Sequence, residues 1–157
     1  MSQELQKDNI VITDTSCLIL LDKIDALFIL DKLYKNVITT PEIANEFGSP
    51  IPNWIKIKSA ANQHLQELYA QKVDLGEASA IALAQEFDSA LLIIDDLQAR
   101  HLADELRLNY TGTLGILLVA KQSGVITLLA PYFEKVRRTN FRISNSFLDQ
   151  LLRQAGE

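Results

Sequence analysis

One cysteine, Cys17, stands in 157 residues, so no disulfide framework can be built. Set in the apolar run Cys17-Leu18-Ile19-Leu20-Leu21, it reads as buried filler and not as a nucleophile. Long hydrophobic runs are missing as well. The longest apolar stretches, 17–21 and 91–94, fall far short of the ~20 residues that a membrane helix needs, so no membrane association is expected. Residues 1–9 lack the basic start and apolar centre of a secretory signal, and a cytoplasmic location is the expectation. Histidine is scarce, and neither His64 nor His101 has a second histidine or a cysteine at metal-ligand spacing. Both read as exposed helix residues, and any metal would have to be held by oxygen. Repeats and low-complexity tracts are absent. With 48% hydrophobic and 22% charged residues, the chain has the make-up of an ordinary globular domain, and its length suits one domain over residues 1–157.

Basic charge is the other thing in short supply. The formal net charge is −5, whereas a nucleic-acid-binding surface ordinarily calls for a positive excess. Acids that ligate metal change that conclusion. Two divalent ions among Asp14, Glu46, Glu77, Asp95 and Asp96 would take −5 to −1, and charge then excludes no partner.

What the sequence does have is Ala90-Leu91-Leu92-Ile93-Ile94-Asp95-Asp96, an unbroken apolar run that stops at two adjacent carboxylates. Such a run fits a strand over 90–95, buried on both faces of a parallel sheet, with a helix over 97–106 behind it. Ile10-Val11-Ile12-Thr13-Asp14 repeats the pattern. Both strands would then end in acid at the carboxyl edge, where open α/β sheets bind ligands. Carboxylates placed side by side raise each other's pKa, and a cation relieves the repulsion. An all-oxygen cluster suits the hard ions Mg²⁺ or Mn²⁺.

Between these strands, Thr15 or Ser16 can cap a helix through Leu18, Leu21 and Ile24, and a second helical stretch ends near Tyr34. Residues 37–40 read as a short strand. Pro41 opens a helix over 41–47 that carries Glu42 and Glu46 on one face. Gly48-Ser49-Pro50-Ile51-Pro52, followed by Trp54, reads as a surface flap. A brief edge strand at 55–57 and a helix over 60–71 follow. Asp74-Leu75-Gly76-Glu77 opens a long helix over 78–86, with Glu77 in its first turn, a place that favours acid for the helix dipole alone. Beyond the second acidic strand, Thr111-Gly112-Thr113-Leu114-Gly115 is a glycine-spaced turn into a helix over 116–121, which Gly124 ends. A short helix over 128–136, the basic run Lys135-Val136-Arg137-Arg138 and an amphipathic helix from Ser144 or Asn145 to Leu152 complete the chain. Phe147, Leu148, Leu151 and Leu152, with Ile24 and Leu27, form a face that suggests either a homodimer or a protein partner, with core packing as the plain alternative.

Alternating strands and helices predict an α/β domain, three layers with a mainly parallel central sheet. Ile12-Thr13-Asp14-Thr15-Ser16, Pro41-Glu42-Ile43-Ala44-Asn45-Glu46, the helix-start stretch from Leu75-Gly76-Glu77 to Ala84, and Leu92-Ile93-Ile94-Asp95-Asp96 come in an order and spacing that resemble the successive motifs of PIN-domain nucleases. The likeness spans 9–130, with 131–157 as a C-terminal helical extension. It is nearest to a bacterial PIN-like branch akin to the VapC toxins, where Leu97-Gln98-Ala99-Arg100 and Gly112-Thr113-Leu114-Gly115 follow the acids.

The resemblance implies a PIN-like fold and a metal-dependent endoribonuclease. It also implies the toxin of a toxin–antitoxin pair, with RNA as substrate and an antitoxin protein as partner. Asp14, Glu46, Glu77 and Asp96 match the catalytic acids, and Asp95 beside Asp96 joins Asp14, Glu77 and Asp96 as a candidate metal ligand. Ser16 and Thr113 are candidates to position water or phosphate, and Arg100, Lys121, Arg137 and Arg138 to hold the RNA backbone. One departure stands after Asn109-Tyr110, where Thr111 and Thr113 replace a further acid, and this counts against a fully occupied second metal site. A dehalogenase-type phosphatase would need an aspartate where Ser16 stands, and a receiver domain would need its acidic pair after the first strand. The serious rival is a catalytically inactive PIN-like binding module.

Overall fold

The computed structural model describes residues 10–157; the polar segment 1–9 lies outside the described residues. A five-stranded sheet, all parallel, has the order β3-β2-β1-β4-β5, with β1 Ile10–Thr13, β2 Asn36–Thr39, β3 Ile55–Ile57, β4 Ala90–Ile93 and β5 Asn109–Thr111. Val11 and Ile12 in β1, and Leu92 and Ile93 in β4, are all fully buried. Successive strand residues point to opposite faces, so burial of neighbours means that helices cover both sides. The domain is a three-layer α/β/α fold, and the uninterrupted apolar runs are the cause.

Nine helices stand among the described residues: α1 Thr15–Lys23, α2 Phe28–Leu33, α3 Pro41–Phe47, α4 Gln63–Tyr69, α5 Leu75–Ala84, α6 Leu97–Glu105, α7 Thr113–Gln122, α8 Ala130–Arg137 and α9 Asn145–Gln154. Several begin on a side chain that accepts a backbone N–H, which fixes where the strand stops and the helix starts. Asp14 caps α1, Thr40 caps α3, Asp96 caps α6 and Ser144 caps α9.

Boundaries move where capping outweighs the apolar pattern. The helix expected over 78–86 starts three residues earlier, because Asp74 and Glu77 form a reciprocal capping box at its first turn. The helix expected over 60–71 shrinks to Gln63–Tyr69, since Asn62 accepts from Leu65 N at 3.0 Å and sets its start. Strand β4 ends at Ile93, although Ile94 N still donates to Thr111 O at 2.8 Å. The stretch 48–52 is not a free flap. Ile51 and Trp54 are half-buried against the core, so apolar burial ties the loop down.

The apolar face of α9 is also corrected. Leu148 and Leu151 are buried, as is Ile24, while Leu27 and Leu152 pack against the core, because the terminal helix folds back on the sheet's helical layer. Of that face only Phe147, 41% exposed, is presented to solvent. Most of the face is intramolecular core, the plain alternative for it.

Candidate active site

The sheet runs one way from β1 to β2 and β3 and the other way from β1 to β4 and β5. The place between β1 and β4 is therefore a topological switch point, where loops part and leave a crevice at the carboxyl edge. Asp14 follows β1, and Asp95 and Asp96 follow β4. The register Thr13↔Ile93 and the bond from Asp14 N to Ile93 O, 3.3 Å, put both acidic ends at this edge.

Asp14 is 2% exposed. Its Oδ1 accepts from Cys17 N at 2.9 Å, which caps α1, but its Oδ2 is buried without any hydrogen-bond partner. A carboxylate so placed resists ionisation. Burial first, and the charge of Asp95 second, push the Asp14 pKa from 3.8 to about 8. Glu77 is pushed from 4.5 to about 7, mainly by burial and then by the charge of Asp96, with Asp74 and Glu46 adding to it. Asp14 therefore feels Asp95 and Glu77, and Glu77 feels Asp96 and Glu46. Two strand ends and two helices thus bring mutually repelling acids into one electrostatic neighbourhood. Cys17, fully buried beside Asp14, is no reactive thiol; burial and that charge push its pKa further up from 9.0.

Glu46 reaches the same edge from α3. Thr15 Oγ1 donates to its Oε2 at 3.2 Å. The helices that carry Glu46 and Glu77 are locked together by a short relay, in which Ser79 Oγ donates to Gly76 O at 2.6 Å and Thr40 Oγ1 lies 2.6 Å from Ser79 Oγ. Gly76 makes room for Glu46. A Cβ at Gly76 would come 2.5 Å from Glu46 Oε1 and 3.2 Å from Thr15 Oγ1. Gly76→Ala is therefore expected to fold as well as wild type or better, since alanine favours a helix by roughly 0.5–1 kcal/mol, yet to displace the flexible Glu46 side chain. A melting curve at or above wild type together with a loss of metal-dependent activity is the expected pair of results; unchanged activity would remove Glu46 from the site.

Asp95 has a different environment. Its Oδ1 accepts from Thr113 N at 2.9 Å and its Oδ2 from Thr113 Oγ1 at 2.6 Å, so both oxygens are engaged. Thr113 is fully buried and spends its hydroxyl proton on Asp95. In this arrangement it positions Asp95 and the start of α7. Arg100 is half-buried, donates Nε–H to Ile94 O at 2.8 Å and lies over the Tyr110 ring at 5.4 Å. Ser16 is exposed at the start of α1.

Two of the expected backbone-binding cations are engaged elsewhere. Lys121 sits eight residues along α7 from Thr113, roughly 12 Å of helix. It holds Thr127 O at 3.0 Å and Glu157 Oε2 at 3.1 Å. Arg137 is tied to Glu134, to Asn145 at 3.2 Å and to Asp149 at 3.4 Å. Local acid partners outcompete the sheet edge in both cases. Arg138 is exposed and, among the described residues, its side chain makes no hydrogen bond or ion pair. Sequence reasoning missed Thr15, Gly76 and above all Arg142, which the segment after α8 carries back to a cavity shared with Asp95 and Arg100. Gly76 beside Glu77 was a usable signal; nothing in the spacing marks Arg142.

Could these residues hold a hard cation? Among the described residues no three histidine, cysteine or acidic side chains stand together in ligating geometry. Their oxygens are turned instead to nearby donors: Asp96 Oδ2 to Ala99 N at 3.0 Å, and Glu77 Oε1 to Asp74 N at 3.2 Å. Each keeps its second oxygen free, and the buried Oδ2 of Asp14 has no partner, an unsatisfied oxygen that a cation would satisfy. The donor set, all carboxylate, is of the chemistry that suits a hard divalent ion.

With the geometry in place, comparison with known proteins gives one match. The model of the family DUF3368, described as PIN domain, matches residues 10–157, and the chain belongs to that family. PIN domains are, as a class, metal-dependent nucleases. No curated protein and no solved structure matches the chain.

Proposed function

We propose that the chain is a Mg²⁺- or Mn²⁺-dependent endoribonuclease, acting from the switch-point crevice between β1 and β4. The observation that carries this reading is Asp14, a buried carboxyl with an orphaned oxygen, repelled by neighbouring acids. Asp14, Asp96 and Glu77 would hold the ion, with Glu46 as the outermost acid. When bound, such an ion lowers the pKa of the attacking water and offsets charge building on the phosphate. The chain's own part is to orient. The Asp14 and Asp96 caps fix both carboxylates on rigid helix starts, and Asp95 is clamped by Thr113, which holds the β5–α7 turn against the site. Ser16 offers an exposed hydroxyl to phosphate, and Arg100 and Arg138 are the cations of the expected set that remain for the RNA backbone. A toxin role, with an antitoxin protein masking the crevice, is part of the same reading and rests on the resemblance alone.

That no three of the described acids stand in ligating geometry favours the rival reading, an inactive binding module. Incubation of purified protein with a mixed RNA pool and Mn²⁺ separates the two. Wild type is expected to cleave, and Asp96→Asn, which keeps an equally good helix cap, to fail. Equal cleavage by both would assign the activity to a contaminant, and no cleavage by wild type would leave the binding module.

A further inference from the structure

After α8 the chain turns back, and residues 139–143 run beside α1 to the mouth of the crevice. Three depressions line this path. The first, about 400 Å³, lies among Asp95, Arg100, Tyr110, Phe141, Arg142 and Phe147. The second, about 260 Å³, shares Phe141 and Arg142 with it and adds Ser16 and Lys23. The third, about 530 Å³, shares Lys23, Thr139 and Asn140 with the second and adds Lys135 and Arg138. Neighbouring depressions share lining residues, so they follow one another along a path that starts at the acidic edge.

The charge of this groove runs against the rest of the molecule. Arg100, Arg142, Lys23, Lys135 and Arg138 line it, against Asp95 and Asp25, in a chain whose net charge is −5. Arg138 and Arg142 are exposed and, among the described residues, their side chains have no hydrogen-bond or ion-pair partner. Uncommitted guanidinium groups in a row call for a repeating anion. The end nearest the acids is aromatic as well. Phe147 is exposed, and Tyr110 and Phe141 are half-buried beside it. A cationic track that meets aromatic rings is the combination that holds single strands, because unpaired bases present a stacking face that a duplex hides.

We infer that a single strand of RNA lies along this groove, with backbone phosphates on Arg142 and Arg138. An unpaired base rests against Phe141 and Tyr110 next to the acidic edge. The inference rests on the nuclease reading for the identity of the strand as substrate, and it adds that the C-terminal segment, not the basic residues Lys121 and Arg137, carries it. A base-paired stem does not fit, since its bases are turned inward.

The test is fluorescence anisotropy with a labelled 12-nucleotide unstructured RNA, in an Asp96→Asn background with Mn²⁺ present. Arg142→Ala and Arg138→Ala are each expected to weaken binding about fivefold or more at low salt. Each should also reduce the slope of log K against log salt by about 0.7, the loss of one single-strand phosphate contact. Lys56→Ala, on β3 at the opposite edge of the sheet, should bind like the parent. Circular dichroism melts of the arginine variants should match the parent, because both side chains are exposed and unpartnered. Parental affinity and salt slope in Arg142→Ala, or a hairpin stem bound as tightly as the single strand, would overturn the inference. The two readings fail separately: Mn²⁺-dependent cleavage by wild type without any dependence on Arg142 sinks the groove alone, whereas groove-dependent binding without cleavage sinks the nuclease alone.

Discussion

Asp14→Asn is expected to lose metal-dependent cleavage by at least ~10²-fold, the scale on which single electrostatic groups act in active sites, and at the same time to melt higher than wild type when no metal is present. Asparagine keeps the cap of α1, because its carbonyl oxygen can accept from Cys17 N as Oδ1 does. It removes a charge that the fold disfavours. The folded-state pKa of Asp14 is raised, from 3.8 to about 8, so the folded state binds the proton more tightly than the unfolded chain. Its contribution to stability is full below about pH 4 and is lost as pH rises through 8. At pH 8 the loss is on the order of 5 kcal/mol, and the unpaired amide of asparagine in the place of Oδ2 costs about 1–3 kcal/mol. The net gain for the variant is on the order of 3 kcal/mol, or roughly 9 °C in a domain of this size. Scanning calorimetry in EDTA at pH 5 and pH 8 checks it: the gap should open only at the higher pH, and saturating Mn²⁺ should reverse it by stabilising wild type alone. A variant that melts lower than wild type at pH 8 would mean that Asp14 is already paired in the metal-free protein.

The second large effect is the pH dependence of metal binding. Carboxylates must be deprotonated to ligate, so an ion held by Asp14 and Glu77 displaces protons whose pKa values are raised to about 8 and about 7. Below pH 6.5 up to two protons leave per ion. Apparent Mn²⁺ affinity should then rise by about 100-fold per pH unit between pH 5 and 6.5, more slowly to pH 8, and level off above it. Ordinary carboxylates would give a flat profile over this whole range, having lost their protons by about pH 5. Isothermal titration calorimetry in buffers of different ionisation enthalpy counts the protons released. A flat affinity from pH 5.5 to 8 would contradict the burial-driven shifts. Glu77→Gln should halve the pH slope, while its side-chain carbonyl still accepts from Asp74 N and keeps the helix start.

The frame of the fold was legible because its signals are local and strong. Unbroken apolar runs before Asp14 and Asp95 made parallel strands, and capping residues such as Thr40 and Ser144 stand where helices begin. The acids at strand ends were legible for the same reason. What sequence could not supply was the competition among partners. Thr113 looked free to meet a substrate and is instead consumed by Asp95, while Lys121 looked basic and is instead clamped by Glu157, 36 residues further on. The apolar stripe of α9 could have faced water or core, and only the fold-back of the terminal helix decides for core. Arg142 shows the same limit from the other side. No spacing rule joins it to Asp95, yet the turn after α8 sets them around one cavity.

The most direct measurement is the anomalous scattering of Mn²⁺ in crystals of the wild-type protein at pH 8. A peak is expected within coordination distance of Asp14 Oδ2, shared with the free oxygen of Asp96 or Glu77 and absent from Asp14→Asn crystals. Mn²⁺ density only at other surface acids, with Oδ2 of Asp14 still without a partner at saturating metal, would contradict it.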